Sequence, residues 1–532
     1  MVATVTAITS ASATVHYFEQ DGYYAKNDPE HRRASFWHGT AARDLSLGRH
    51  VKPKVFESIL AGHVPGTDIR LGRAREGEHQ HRPGVDITFS APKSVSLQAL
   101  VMGDERVIRA HDEAVRATLD MIERDLLVTR VHNPATGRRE RRRAQGMVAG
   151  TFRHLASRNL DPQLHTHSVV ANMTRGPDGS WRSLDMGRLG SRRLLIGAHY
   201  RNELARRLLD LGYELQETMI GPVPGFEIAG WEKRTLDAFS TRRREIVDHI
   251  DEKGWDYNAA TAQAAALKTR KRKKEPHREI LTGMWRERAE ELRLDLTRRR
   301  LKRSTPPPAP SALEIVARVA EHLEERQSVI AVHDLVAGAL AHAPGRHGLD
   351  EIHAAIDQLR RDGHLVDAIR SRGGPSLVTD RALKAEREVV RAMKDGIGTT
   401  GAIVPAAAVE RKLAATSLTL GQQEALRLIL GEGDALVGVQ GYAVILSRDY
   451  CVNAERVVMP SDERESAPHG SFSALRLGIT SVDHLPPRSS IKLSLTPRKV
   501  PGLMDGGVLL SRMSSFSAGL ARTYISVVLR SA

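Results

Sequence analysis

The 532-residue sequence contains one cysteine, Cys451. This excludes a disulfide scaffold, a cysteine-ligated zinc finger and an iron–sulfur protein, and it fits a reducing, cytosolic compartment. Aromatic residues make up only 4% of the chain, so its cores must rest on Leu, Val and Ala. No uninterrupted apolar run approaches the roughly 20 residues of a membrane span. Met1–Ala13 lacks the basic start of a signal peptide. No period marks a solenoid repeat. No G-x-x-x-x-G-K-[ST] loop occurs anywhere, so the usual cradle for nucleotide phosphates is missing.

Positive charge, by contrast, is abundant. Lys and Arg number 79 against 64 Asp and Glu, for a net charge of +15. Residues 1–303 carry +14 of it. Such an excess favours a polyanionic partner, nucleic acid first, with a basic but inert surface as the alternative. The length suits two to four domains.

The clearest boundary is Thr305-Pro-Pro-Pro-Ala-Pro310, a stiff extended stretch at 304–310. Before it, strand patterns at Val85–Phe89, Met147–His154 and Gln163–Met173 mix with helical patterns at Val107–Leu126, Leu194–Leu211 and Pro276–Leu294. Residues 1–303 therefore read as an α+β domain. Within 311–380, three short amphipathic helices (Ala312–Glu325, Val332–Ala343, Leu349–Asp362) precede a hairpin, His364–Ile369 with Ser376–Thr379. That order suits a winged-helix-like module or an unrelated helical bundle. Helices follow at Ala382–Met393 and Leu418–Leu430. Val444–Ala532 is Ser-rich without sustained periodicity and reads as a poorly structured tail.

The strongest chemical feature is Asp161-Pro-Gln-Leu-His165-Thr-His167, with His154 upstream. On a strand, positions i and i+2 face one side, so His165 and His167 present two imidazoles to one point. An antiparallel return places His154 beside them, the arrangement of an open catalytic metal site. His79-Gln-His81 repeats the spacing but lies in a Gly/Glu/Arg/Pro loop, where a solvated role is expected. Tyr17, Tyr23 and Tyr24 put three of nine tyrosines within eight positions. They either pack an amphipathic face or supply nucleophilic hydroxyls. A free tyrosine with a pKa near ~10 is only about one part in a thousand ionised at neutral pH, so a nucleophile needs a base or cation nearby. Asp86 sits mid-strand among apolar neighbours and needs a partner. It could orient a metal-binding His, take a proton from Tyr17, or bond to nearby backbone. Ser90-Ala-Pro-Lys93 reads as a helix cap.

The basic segments suit phosphate contacts or a solvated face. Arg138, Arg139, Arg141, Arg142 and Arg143 follow a turn at Asn133–Gly137 and could form a hairpin entering a groove. Lys268, Arg270 and Lys271 belong to a second run. Arg153 and Arg158 flank His154 and are candidates for holding a scissile phosphate. Lys93 is also counted among the DNA-binding candidates.

Tyr17-Phe-Glu19, Tyr23-Tyr-Ala-Lys26, Asp86–Leu100, Phe152-Arg-His154 and Asp161–His167 together resemble the relaxase domain of conjugative plasmids, of the TrwC/TraI (MobF) class. That class belongs to the histidine–hydrophobe–histidine endonucleases, although the middle residue here is Thr166. The resemblance implies a central antiparallel sheet with flanking helices, related to the RNA-recognition-motif topology. It implies an enzyme that recognises a hairpin at a plasmid origin of transfer and nicks one DNA strand at the nic site. Tyr17 then matches the first catalytic tyrosine and Tyr23 the second, with Tyr24 an adjacent candidate. His154, His165 and His167 match the metal ligands, for Mg, Mn or Zn, and Asp86 the acidic residue beside the nucleophile. Implied partners are origin-of-transfer single-stranded DNA, accessory nicking proteins, a type IV coupling protein and a helicase in trans. The implied location is the bacterial cytoplasm, with export alongside the DNA through a type IV secretion system. Rolling-circle initiators share this chemistry; two separated tyrosines and an attached helicase start favour the relaxase. A non-catalytic DNA-binding accessory protein is the reading from another class.

Past the linker the resemblance continues into the start of a helicase half at 381–443, through Leu418–Leu426 and Val437-Gly-Val-Gln-Gly-Tyr-Ala443. The expected Gly-x-Gly-Lys-Thr loop is replaced by Val444-Ile-Leu-Ser-Arg-Asp449. No ATP-binding residues and no motor activity are expected. A frameshift at Ala443 predicts that another reading frame of the gene encodes Gly-Val-Gly-Lys-Thr just past that codon. Nucleotide sequence lacking it in both other frames leaves a diverged tail instead.

Overall fold

The computed structural model describes residues 3–20, 34–75, 78–220, 223–269, 276, 278–294, 310–368, 374–399, 401–402, 404–416, 418–431, 514–517 and 520–523. The chain divides into two compact units, residues 1–319 with 331–359, and residues 320–330 with 360–532.

The first unit is built on a five-stranded antiparallel sheet. Its strands are β1 (Ala3–Ile8), β2 (Ser35–His38), β3 (Gly84–Ser90), β4 (Ala149–Ala156) and β5 (Pro162–Ala171), in the order β1-β3-β5-β4-β2. Alternation sorts the two faces. Ile87, Phe89, Leu164, Thr166 and Val170 point one way, and Asp86, Thr88, Phe152, His154, His165 and His167 the other. The first face is covered by α2 (Lys93–Leu100), α3 (Glu105–Met121) and α4 (Arg193–Asp210). The second is covered by α1 (Ala11–Gln20) and the helix Pro53–Leu60. Phe18, Phe56, Phe152 and Val169 form the core there. Phe18 stacks on Phe152 with ring centroids 3.9 Å apart, which fixes α1 over the sheet. Such a pair adds about 0.5–1.5 kcal/mol to the burial of its area.

Helix α3 starts where Asp104 accepts a bond from the Arg106 N–H at 3.0 Å, an N-cap. It buries Val107, Ile108, His111, Ala114, Val115 and Thr118 at helical spacing. The helix predicted to reach Leu126 widens instead into a π-helical turn over Ile122–Leu126. Other predicted elements shift by a few residues at their ends. The β1 strand had no sequence prediction. His79 lies in a short ribbon, Arg73–Arg75 with Glu78–Gln80, rather than in the expected loop.

Further on, the helix Val332–His342 packs on α4 within the first unit. His333 Nε2 lies 2.8 Å from Arg192 Nη1. Asn202 accepts from Gly345 N–H at 2.7 Å and donates to the His347 carbonyl at 2.9 Å. The stretch 311–380 is thus shared between the two units rather than set apart by the Pro-rich run. In the second unit, Leu365–Asp367 pairs with Ser376–Thr379, and Thr379 caps the helix Asp380–Asp395. Val409, Leu413, Leu418, Leu426 and Leu430 form a small core there. Val437–Ala443 lies outside the described residues. Of the Ser-rich tail, the described part is a hairpin, Ser514–Ser517 with Leu520–Thr523.

A buried polar network ties the sheet to its helices. His111 on α3 contacts Tyr200 Oη through Nδ1 and Thr166 Oγ1 through Nε2, both at 2.8 Å. Burial pushes the His111 imidazole down to about 3. Burial also pushes His199, on α4, down to about 4. In the unfolded chain both titrate near about 6.5. Between the folded and unfolded values the unfolded state binds more protons, so stability is full above about pH 6.5 and declines as the pH falls toward 3. His111→Gln should flatten that acid slope by up to about 1.4 kcal/mol per pH unit. Urea midpoints measured between pH 7 and pH 4 give the comparison, and an unchanged slope would contradict it.

Candidate active site

The candidate site grows from the pairing of β4 with β5. His154 lies directly opposite His165, and Phe152 opposite His167. Directly paired residues share a face, so the three imidazoles form one cluster. Ring centroids are 5.0 Å apart for His154–His165, 5.0 Å for His154–His167 and 5.4 Å for His165–His167. Imidazoles bound to one tetrahedral ion at about 2.1 Å would have centroids about 5.2 Å apart. The spacing therefore suits a divalent ion.

Two tautomers are set by neighbours. His165 Nδ1 donates to the Gln163 carbonyl at 2.9 Å. His167 Nδ1 donates to Asp86 Oδ2 at 2.6 Å, with Thr88 Oγ1 at 3.2 Å. In both rings the lone pair is then on Nε2, the nitrogen left for an ion. One feature does not yet fit. The His154 and His165 rings stack at an interplanar angle of 18°, and stacked rings cannot both aim lone pairs at one ion. Among the described residues no three His, Cys, Asp or Glu donors stand ready as a coordination set.

Tyr17 reaches the cluster from α1. Its ring centroid is 6.2 Å from that of His167, edge-on, and the side chain is half-buried. Asp86 serves His167, one of the roles read from the sequence. Its second oxygen, Oδ1, is buried and accepts no hydrogen bond among the described residues. Thr88 was missed as a contributor, although its place two residues after Asp86 on one strand puts it on the same face. Tyr23 and Tyr24 lie outside the described residues.

Two expected DNA-binding residues are elsewhere. Arg153 neighbours His154 on a strand, so alternation sends it to the opposite face, where it pairs with Asp112 of α3. It does not join the site. Lys93 is half-buried, donating from Nζ to the Pro162 carbonyl at 2.9 Å. Burial pushes its ammonium down to about 8 against the opposing pull of Asp161. Arg158 is half-buried in the loop after β4.

The predicted arginine hairpin is present as Val128–Asn133 paired with Arg138–Arg143. Arg138, Arg139, Arg141, Arg142 and Arg143 are all exposed. Asp185 takes Arg141 at 2.7 Å and Arg130 at 3.2 Å, and Glu140 takes Arg142 at 2.6 Å. Arg138 and Arg139, next to the turn, have no ion pair among the described residues. Lys268 is exposed at the end of the helix Ala259–Lys268; Arg270 and Lys271 lie outside the described residues.

The Asp86–His167 bond yields a direct expectation. Asp86→Asn keeps the shape but weakens the bond that orients the ring. Mn2+ affinity, measured by calorimetry, should fall about 10–100-fold, whereas unchanged affinity would remove Asp86 from the site.

The family model for the TrwC relaxase matches residues 11–292. The multifunctional conjugation protein TraI of Escherichia coli is 30% identical over 455 residues, which is 80% of this chain and 25% of that protein. TraI of Escherichia coli strain K12 matches to the same extent. The chain thus spans about a quarter of the length of these curated relatives. A metal-free structure of the conjugative relaxase TrwC in complex with OriT DNA is 34% identical, covering 55% of this chain and 100% of that one, with a TM-score of 0.49. TrwC complexed with a 27-mer DNA comprising the recognition hairpin and the cleavage site is 34% identical over 55% of this chain and 99% of that one, also at a TM-score of 0.49. With the family model matched over more than half of its residues, the chain belongs to the TrwC relaxase family.

Proposed function

We propose that this chain is a conjugative relaxase, a divalent-metal-dependent transesterase that nicks and rejoins one DNA strand at a plasmid origin of transfer. The observation that carries the reading is Tyr17 standing beside three imidazoles that share one sheet face. The Tyr17 hydroxyl oxygen attacks the scissile phosphorus. A P–O bond to the tyrosine forms, the bond to the 3′ oxygen breaks, and the 3′ oxygen takes a proton from water to leave as a hydroxyl. Asp86 Oδ1 is the acceptor assigned to the phenolic proton. His154, His165 and His167 would hold the ion, with Mg, Mn and Zn as candidates. When bound, the ion polarises the phosphate oxygens and offsets their developing charge. The 5′-phosphotyrosine keeps the energy of the original diester, so a 3′ hydroxyl can reverse the step. A hydrolytic nuclease lacks that return path.

Tyr23, with Tyr24 as an adjacent candidate, would serve the second strand transfer that ends the process. The ribbon bearing Arg138 and Arg139 is suited to a DNA hairpin, because exposed guanidinium groups add salt-dependent phosphate affinity. Arg141, Arg142 and Arg143 extend that surface, and Lys268 with Arg270 and Lys271 would track the single strand. Residues 1–303 are proposed as the relaxase domain and 381–443 as the start of a helicase lacking its phosphate loop. Unwinding then falls to a helicase supplied in trans, beside accessory nicking proteins and a coupling protein. The protein would act in the bacterial cytoplasm and leave with the DNA through a type IV secretion system. Among the described residues, no helix is long and apolar enough to cross a membrane.

Incubation with Mn2+ and a single-stranded oligonucleotide carrying the cognate nic site should give an SDS-stable protein–DNA adduct. Tyr17→Phe or added EDTA should abolish it. No adduct from the wild-type chain under these conditions would defeat the enzyme reading.

A further inference from the structure

The loop Ser157–Asp161 joins the strand holding His154 to the strand holding His165. It is folded tightly on itself. Ser157 N–H donates to the Asp161 carbonyl at 2.9 Å, and Leu160 N–H to the Ser157 carbonyl at 2.9 Å. Leu160 adopts φ 61°, the left-handed region, which a leucine holds only when its surroundings demand it.

Those surroundings come from far along the chain. Asp161 is 1% exposed, and a buried carboxylate must be satisfied. Its Oδ2 accepts from Thr241 Oγ1 at 2.7 Å and from the Arg242 N–H at 3.2 Å. These residues open the helix α5 (Thr241–Glu252). Ser240, at the N-cap of α5, makes no side-chain cap bond; Asp161 supplies the missing acceptor and the negative charge that a helix N-terminus favours. Asp161 Oδ1 faces Arg288 Nη1 at 3.5 Å. That residue lies on α7 (Arg278–Glu291), whose Trp285 Nε1 donates to the Leu160 carbonyl at 2.6 Å. Arg242 in turn donates to the Ala266 carbonyl at 2.7 Å, tying in α6 (Ala259–Lys268). Three C-terminal helices therefore hang on one five-residue loop, and both ends of that loop continue into ligand-bearing strands.

We infer that Asp161 is a positioning residue that couples docking of helices α5 to α7 to the alignment of the three imidazoles. The inference rests on the metal-binding reading of those imidazoles. Docked helices hold the loop, and the loop holds the spacing of His154 and His165. Coupling of this kind is reciprocal: an ion on the imidazoles favours docked helices by the factor with which docked helices favour the ion.

The test uses the full chain with Mn2+ alone as the probe. In the wild type, Mn2+ should slow amide hydrogen exchange across 241–291. Asp161→Asn should weaken Mn2+ binding about tenfold and abolish that slowing, with the thermal transition of the central sheet retained. Thr241→Val combined with Arg288→Met removes two of the three contacts from the helix side, leaving the Arg242 N–H bond. It should weaken Mn2+ binding similarly, and it decides the matter if Asp161→Asn does not fold. Unchanged Mn2+ affinity in the folded variants, or wild-type exchange indifferent to Mn2+, would overturn the coupling while leaving the metal reading intact. A wild-type chain that binds no Mn2+ overturns both.

Discussion

The site depends on one register, His154 opposite His165 across β4 and β5. Side chains alternate with a period of two, so a slip of one residue would carry His154 to the face covered by α2, α3 and α4 and bring Arg153 or Leu155 beside His165. Each face is committed in a way that forbids the slip. On one, Phe18 stacks on Phe152. On the other, Thr166 meets His111, and Arg153 meets Asp112. The residues between the histidines thus hold the imidazoles in phase. The polar Thr166 matters here, because an apolar residue at that point would leave His111 without its Nε2 partner.

The face that carries the three imidazoles was legible in the sequence because strand periodicity is a local property. His165 and His167 share a side wherever the strand sits, and the Asp86 strand shows the same alternation. What failed was the application of that rule to the neighbours. The alternation that brings His154 into the site sends Arg153 out of it. Lys93 failed for a different reason. It was counted among the DNA-binding candidates at the start of a helix, but the start of α2 is covered by residues around Asp161 and Glu227, far apart in sequence. His111 and Tyr200 are 89 positions apart, and no local pattern joins them. Asp161 was visible only as part of a histidine motif, because its partners Thr241 and Arg288 follow about 80 and 127 residues later in the chain, beyond any spacing rule.

The distribution of structure follows the distribution of charge. Residues 1–303 carry nearly all of the excess, and they hold the sheet, the imidazoles and the arginine ribbon. The family match at 11–292 falls within the same stretch. Yet the boundary of the compact unit extends past the Pro-rich run, because the helix Val332–His342 packs on α4. Proline content marks stiffness in the chain; packing decides which pieces belong together.

The ion pairs along the arginine ribbon have a mechanical consequence. Near the base, Asp185 and Glu140 offset two of the four charges of Arg130, Arg141, Arg142 and Arg143. Arg138 and Arg139 keep their charge at the far end. The ribbon is therefore a lever whose tip carries two charges that no carboxylate among the described residues offsets. An approaching polyanion that pulls on this point, the farthest from the sheet, acts through the longest arm and turns a weak attraction into a torque. Over a Debye length of about 8 Å at physiological salt, that torque orients the molecule before any atom of the ribbon touches its partner.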